Sequence, residues 1–154
     1  MEREFTLTRI LDAPRDLVFE SWTDPAQLGW FHSGNGEVTQ SPQVDLRVGG
    51  EWRQQMIIDE ETSYVTGGIY LEITPPERLV YRFGAVGGWP DLAVETDGPI
   101  ITVQLNELAG STEMLVTVSF PPEASDARVQ QWLDAGVRDG MGQTIDRLVG
   151  KFRG

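Results

Sequence analysis

Apolar and polar positions alternate through residues 3–11, with Phe5, Leu7 and Leu11 on one parity and Thr6, Thr8 and Ile10 on the other. A period of two in a stretch rich in β-branched and aromatic residues predicts a strand. Asp12-Ala13-Pro14 ends it. Pro14 suits the first turn of a helix, with Asp12 as a candidate cap. Leu17, Val18, Phe19 and Trp22 then fall at helical spacing. Thr23-Asp24-Pro25 breaks this helix and opens a second short one carrying Leu28, Trp30 and Phe31. The composition of Ser33-Gly34-Asn35-Gly36 predicts a turn.

From about residue 36 to 120 the pattern predicts strands separated by turns. Residues 38–48 form a weak strand interrupted by Pro42, and Trp52, Gln54, Met56 and Ile58 alternate after Gly49-Gly50. Asp59-Glu60-Glu61 is a polar turn. Residues 64–73 form a strand containing Gly67-Gly68, a pair that signals a bulge or the close approach of another element. Leu79, Tyr81 and Phe83 share a parity on the next strand. A Gly-rich loop over 84–98 carries Trp89, and strands follow at 100–108 and 114–120. Turns at this spacing predict an antiparallel sheet.

Residues 125–152 carry Val129, Trp132, Leu133, Val137, Met141, Ile145, Leu148, Val149 and Phe152 at three- and four-residue steps. That period predicts one long helix of about 40 Å. The order is therefore strand, two short helices, six strands, long helix. Either the helix lies flush on the sheet, or the sheet curls around it and leaves a cavity. Gly136, Gly140 and Gly142 fit both options: missing side chains allow close contact with the sheet or make room for a ligand.

Composition narrows the chemistry. The 154 residues suggest a single domain over 1–154. Twelve basic and 24 acidic residues give a net charge of −12. Nucleic acid and anionic membrane surfaces are therefore poor partners. No cysteine is present and His32 is the only histidine, so thiolate metal sites, cysteine nucleophiles and two-imidazole sites are excluded. The first ten residues lack a signal-peptide pattern and no later stretch has the length of a membrane span, which points to the cytoplasm. Asp59-Glu60-Glu61 lacks the spacing of a calcium loop, Gly87-Gly88 lacks the Lys-Ser/Thr of a phosphate loop, and Ser111 and Ser119 have no histidine partner. No cofactor and no metal are indicated.

Four segments carry a family resemblance: FTLTRILDAPRDLVFESWTDPAQL at 5–28, DLRVGGEWR at 45–53, GGIYLEITPPERLVYRF at 67–83 and WLDAGVRDGMGQTIDRLVGKF at 132–152. Together they resemble the family related to the C-terminal domain of the activator of heat-shock-chaperone ATPase, within the START/Bet v 1-like (SRPBCC) superfamily. The resemblance implies an α+β helix-grip fold. A curved seven-stranded antiparallel sheet would grip a long C-terminal helix, with two short helices after the first strand and an apolar cavity between sheet and helix. Residues 29–34, Gly-Trp-Phe-His-Ser-Gly, depart from the tryptophan pair and Gly-Pro common in related proteins.

On this fold the expected function is binding of a small apolar or aromatic molecule in the cavity. Strand parity puts Trp52, Gln54 and Met56 on one face and Tyr81 and Phe83 on one face, and their bulky apolar members mark these faces as its wall. The helix supplies Gly136, Val137, Gly140 and Met141, and Trp30, Phe31 and His32 form a rim. The 84–98 loop with Trp89 is a candidate gate. Two other functions remain open. One is a polyketide cyclase- or aromatase-like enzyme in which Tyr64, Tyr81, His32 or Gln104 steers proton transfer. The other is a co-chaperone, although no residue indicates a chaperone surface. A homodimer is compatible with either.

Overall fold

A computed structural model describes residues 3–30, 43–57, 63–86, 98–134 and 136–152. Seven strands run in the order β1 (Glu4–Leu11), β2 (Gln43–Val44), β3 (Glu51–Ile57), β4 (Ser63–Thr74), β5 (Arg78–Val86), β6 (Ile100–Leu108) and β7 (Ser111–Ser119). They form one antiparallel sheet with the spatial order β1-β7-β6-β5-β4-β3-β2. Between β1 and β2 lie helix α1 (Arg15–Thr23) and a 3-10 helix (Pro25–Trp30). Helices α2 (Asp126–Asp134) and α3 (Val137–Lys151) follow the sheet.

Strict alternation sets the inner face. In β6, Ile101, Val103 and Leu105 are buried, and in β7 so are Thr112, Met114, Val116 and Val118. These side chains meet Val18, Phe19 and Trp22 of α1 and Met141, Ile145, Leu148 and Val149 of α3 in one core. Each fully buried aliphatic or aromatic side chain contributes about 1.5–3 kcal/mol. The outer face carries a polar ladder instead, in which Thr6 and Thr117 hydroxyls meet at 2.9 Å and Asn106 donates to Glu113 at 3.1 Å.

The start of α1 differs from the expected cap. Pro14 itself is the N-cap, without a side-chain hydrogen bond, and its carbonyl accepts from Leu17 and Val18 N–H. Asp24 does cap the 3-10 helix, accepting from Ala26 N–H at 2.9 Å. Strand β5 also outruns its sequence signal: Gly84, Ala85 and Val86 pair with Gly67, Thr66 and Val65, so the ladder continues where a loop was expected. The weak strand expected over 38–48 is described only as the two-residue β2.

The expected single helix over 125–152 is two helices. Gly136 adopts a left-handed conformation with φ 85° and caps α3, accepting from Gly140 N–H at 2.8 Å. Glycine takes this conformation without the Cβ penalty that other residues meet, so the helix ends and restarts here. The remaining glycines divide the two options left open by the sequence. Gly142 faces β1, where an added Cβ would lie 3.6 Å from the Arg9 guanidinium and 4.0 Å from Leu7. It permits close helix–sheet contact. Gly140 is exposed, with open space beyond its α carbon, and does not line the interior.

Candidate functional site

On the inner face of β3–β5 the core is aromatic: Trp52, Tyr70 and Tyr81 are buried there, with Trp22 and Trp30 packed against them. Tyr70 and Tyr81 are register partners on β4 and β5, so their side chains stand side by side on one face. Trp52 meets Tyr81 edge-on at 5.4 Å between ring centroids, and Trp22 lies 6.4 Å from Tyr81. Trp30 packs edge-on against Trp22 at 4.8 Å. Two positions along β5, Phe83 meets Trp132 of α2 edge-on at 5.9 Å. Gly68 makes this arrangement possible, because a Cβ there would come within 2.8 Å of the Tyr81 ring.

Gln54 ties the cluster to the 3-10 helix. Its amide nitrogen donates to the Leu28 carbonyl at 2.6 Å, and its oxygen accepts from Trp52 Nε1 at 3.2 Å. Trp30 Nε1 donates to the Ser21 carbonyl at 2.9 Å, while Arg147 Nε of α3 donates to the Trp30 carbonyl at 2.8 Å. The sole lysine, Lys151, reaches Ser21 Oγ at 3.1 Å and Gln27 Oε1 at 3.0 Å. The short helix is thus pinned from both sides. Gln54→Leu removes a buried donor from the Leu28 carbonyl. A loss of about 1–3 kcal/mol in denaturant unfolding is expected, with the far-ultraviolet spectrum unchanged.

Five buried polar side-chain atoms have no hydrogen-bond partner among the described residues, and four of them belong to the aromatic cluster: Trp22 Nε1, Trp132 Nε1, Tyr70 Oη and Tyr81 Oη, the fifth being Arg82 Nε. Native interiors leave few such groups. Burial pushes both phenols well above the usual tyrosine value, and for Tyr81 the neighbouring Tyr70 adds to the effect. Both therefore stay neutral throughout the physiological range.

Of the residues expected to form the site, Trp30, Trp52, Gln54, Tyr81 and Met141 are buried, and Phe83 and Val137 pack on the core from its margin. Gly136 is the helix break and Gly140 is exposed. Phe31, His32, Trp89 and the Met56 and Tyr64 side chains lie outside the described residues. Gln104 sits on the outer face, bonded to Asn106 at 3.4 Å, and is remote from the cluster. Tyr70 was not among the expected wall residues; its place beside Tyr81 comes from strand pairing, which local alternation does not report. Trp22 and Trp132 carry a packing signal in the sequence, and as two of five tryptophans they also fit an aromatic-lined pocket.

A concavity of about 490 Å³ lies at the β2–β3 edge and is lined by Gln43, Asp45, Arg47, Glu51, Arg53 and Ile69. It is open, and its charges pair with each other: Arg47 with Asp45 at 2.8 Å and Arg53 with Glu51 at 2.9 Å. Nothing in it converges on a ligand. No helix among the described residues is long and apolar enough to cross a membrane.

A curved antiparallel sheet with helices on one face and an aromatic interior defines the helix-grip, Bet v 1-like class. Within that class the chain belongs to the family described as activator of Hsp90 ATPase homolog 1-like protein, which it matches over residues 12–152. Solved structures agree on the fold. Protein Ms6760 from Mycobacterium smegmatis is 20% identical with a TM-score of 0.77, over 97% of this chain and 90% of that one. Protein NE0264 from Nitrosomonas europaea is 23% identical with a TM-score of 0.75, over 96% and 92%. PFC0360w, an HSP90 activator from Plasmodium falciparum, is 22% identical with a TM-score of 0.64, over 97% of both chains. Comparison with curated proteins found no match.

Proposed function

We propose that the protein binds a small apolar or aromatic molecule in the interior between the inner face of β3–β5 and helices α2 and α3. The observation that carries this reading is the aromatic cluster with four enclosed polar atoms that have no partner among the described residues. Rings supply contact area for an apolar ligand, and a few polar atoms orient it. Packing alone gives no reason to retain phenols where phenylalanine would fit without an orphaned hydroxyl.

Binding is favoured over turnover by the chemistry of these groups. A cyclase-like reaction needs a side chain that exchanges a proton near neutral pH. Among the described residues of the cluster, Tyr70 and Tyr81 are held protonated by burial and Gln54 does not titrate. The chaperone-directed role in the family's name would act through the outer surface, and these interior residues do not bear on it.

A titration with the neutral dye Nile red tests the reading. Saturable emission enhancement is expected. Val137→Trp, at the margin of the core, should weaken it about tenfold in a variant that still folds, by filling the interior. Gly140→Leu should leave it within twofold, because that position is exposed. No enhancement at saturating dye, or equal affinity in Val137→Trp, would overturn the proposal.

A further inference from the structure

We infer that the ligand presents an uncharged carbonyl-type acceptor to Tyr70 and Tyr81, which excludes both plain hydrocarbons and carboxylates as the preferred class. The inference rests on the proposed binding role and adds the chemistry of the bound molecule's inner end.

The first argument is the sign of the unmet hydrogen bonding. Trp22 Nε1 and Trp132 Nε1 can only donate, and a phenol donates through its one O–H. Among the described residues, the one buried amide oxygen on this face, Gln54 Oε1, already takes the Trp52 indole at 3.2 Å. The buried hydroxyls spend their own protons on backbone carbonyls. Ser21 donates to Leu17 at 3.0 Å, Thr23 to Phe19 at 3.0 Å and Thr112 to Ala13 at 2.7 Å. What remains is one unmet N–H or O–H on each of the four groups. Arg82 Nε is also buried and unpartnered, but Arg82 has the opposite parity to Tyr81 on β5 and lies outside the group. A hydrocarbon leaves all four unmet, whereas a carbonyl oxygen has two lone pairs and can accept from both phenols.

The second argument is placement. Tyr70 and Tyr81 face the same side as register partners, and Trp22 lies 6.4 Å from Tyr81. Three of the four donors therefore border one region. Trp132 stands one step farther along the same face, against Phe83.

The third argument is charge. The buried polar side chains among the described residues are Ser21, Thr23, Gln54 and Thr112, none of them cationic. Two cations that reach the 3-10 helix at the rim are committed there: Arg147 to the Trp30 carbonyl, Lys151 to Ser21 and Gln27. A carboxylate beside the two phenols would be a buried charge without a counter-ion, which is strongly unfavourable. A ketone, quinone, lactone or amide oxygen meets the donors without that penalty.

Three probes of matched size separate the classes: 2-acetonaphthone (ketone), 2-ethylnaphthalene (hydrocarbon) and 2-naphthylacetate (carboxylate), each titrated calorimetrically at pH 7. The ketone should bind about tenfold tighter than the hydrocarbon, with the carboxylate weakest. In the Tyr70→Phe/Tyr81→Phe variant the ketone's advantage should fall below threefold, while hydrocarbon affinity stays within twofold. That variant deletes only two unpartnered hydroxyls and should fold as well as the parent. Equal ketone and hydrocarbon affinities, a preferred carboxylate, or a ketone advantage that survives in the double variant would each overturn the inference while leaving the binding role intact. Failure of all three probes to bind would overturn the binding role and this inference together.

Discussion

Gly67→Ala should cost about 4 kcal/mol or more in urea unfolding at pH 7, among the largest effects available to a single substitution. Gly67 lies on β4 between Arg53 of β3 and Gly84 of β5. A Cβ at this position would collide with the Trp52 carbonyl and come within 3.1 Å of the Arg53 α carbon. Both obstacles are backbone, so no side-chain rotation relieves them. Relief requires separating β3 from β4, and with it the pairing that places Trp52 and Gln54 against the 3-10 helix. For a domain of this size the loss corresponds to a fall of roughly 10 °C in midpoint temperature. A loss below about 1 kcal/mol would show that the strands can part locally, contrary to the rigid ladder described here.

Alkaline unfolding should be governed by Tyr70 and Tyr81. Burial raises both phenols in the folded state, whereas in the unfolded chain they ionise near pH 10. Above that pH the unfolded state has released protons that the folded state still holds. Their contribution is therefore fully present below pH 10 and is lost as pH rises toward the folded values. Each tyrosine removes about 1.4 kcal/mol per pH unit in that window, and the pair roughly 4 kcal/mol at pH 11.5. The Tyr70→Phe/Tyr81→Phe variant should match or exceed the parent's stability at pH 7 and outlast it clearly above pH 10.5. Identical alkaline unfolding curves would mean that these phenols reach solvent in the folded protein.

The legible parts of the fold are those governed by local periodicity. The alternation of Ile101, Val103 and Leu105 and of Met114, Val116 and Val118 predicts both the strands and their inner face, and the buried positions agree. The choice of Trp52 and Gln54 as inward residues also holds. The break at Gly136 was not legible. The apolar stripe continues across it from Trp132 to Met141, and glycine inside a helix costs only about 1 kcal/mol, so pattern alone favours continuity. The extension of β5 through Gly84 to Val86 is set by its partner β4, which a glycine-rich stretch does not announce.

The site followed the same division. Rings on strands of known parity could be assigned to one face, and Tyr81 is buried there with Phe83 packed on the margin of the core. The pairing of Tyr70 with Tyr81 lies beside a register shift between Tyr70 and Glu72, so it depends on long-range pairing as well as alternation. Gly140 looked like cavity lining because it shares a helix with Met141. The break at Gly136 resets the start of α3, and Gly140 is exposed while Met141 is buried.

The central claim is that the interior bordered by Trp22, Trp52, Tyr70, Tyr81 and Trp132 receives a ligand. Indole N–H signals of ¹⁵N-labelled protein, followed while 2-acetonaphthone is added, test it most directly. The account predicts saturable shifts of the Trp22, Trp52 and Trp132 indole signals, with backbone amides of 43–53 at the outer groove unmoved. Indole signals that stay fixed at saturating probe, or shifts confined to residues 43–53, would contradict it.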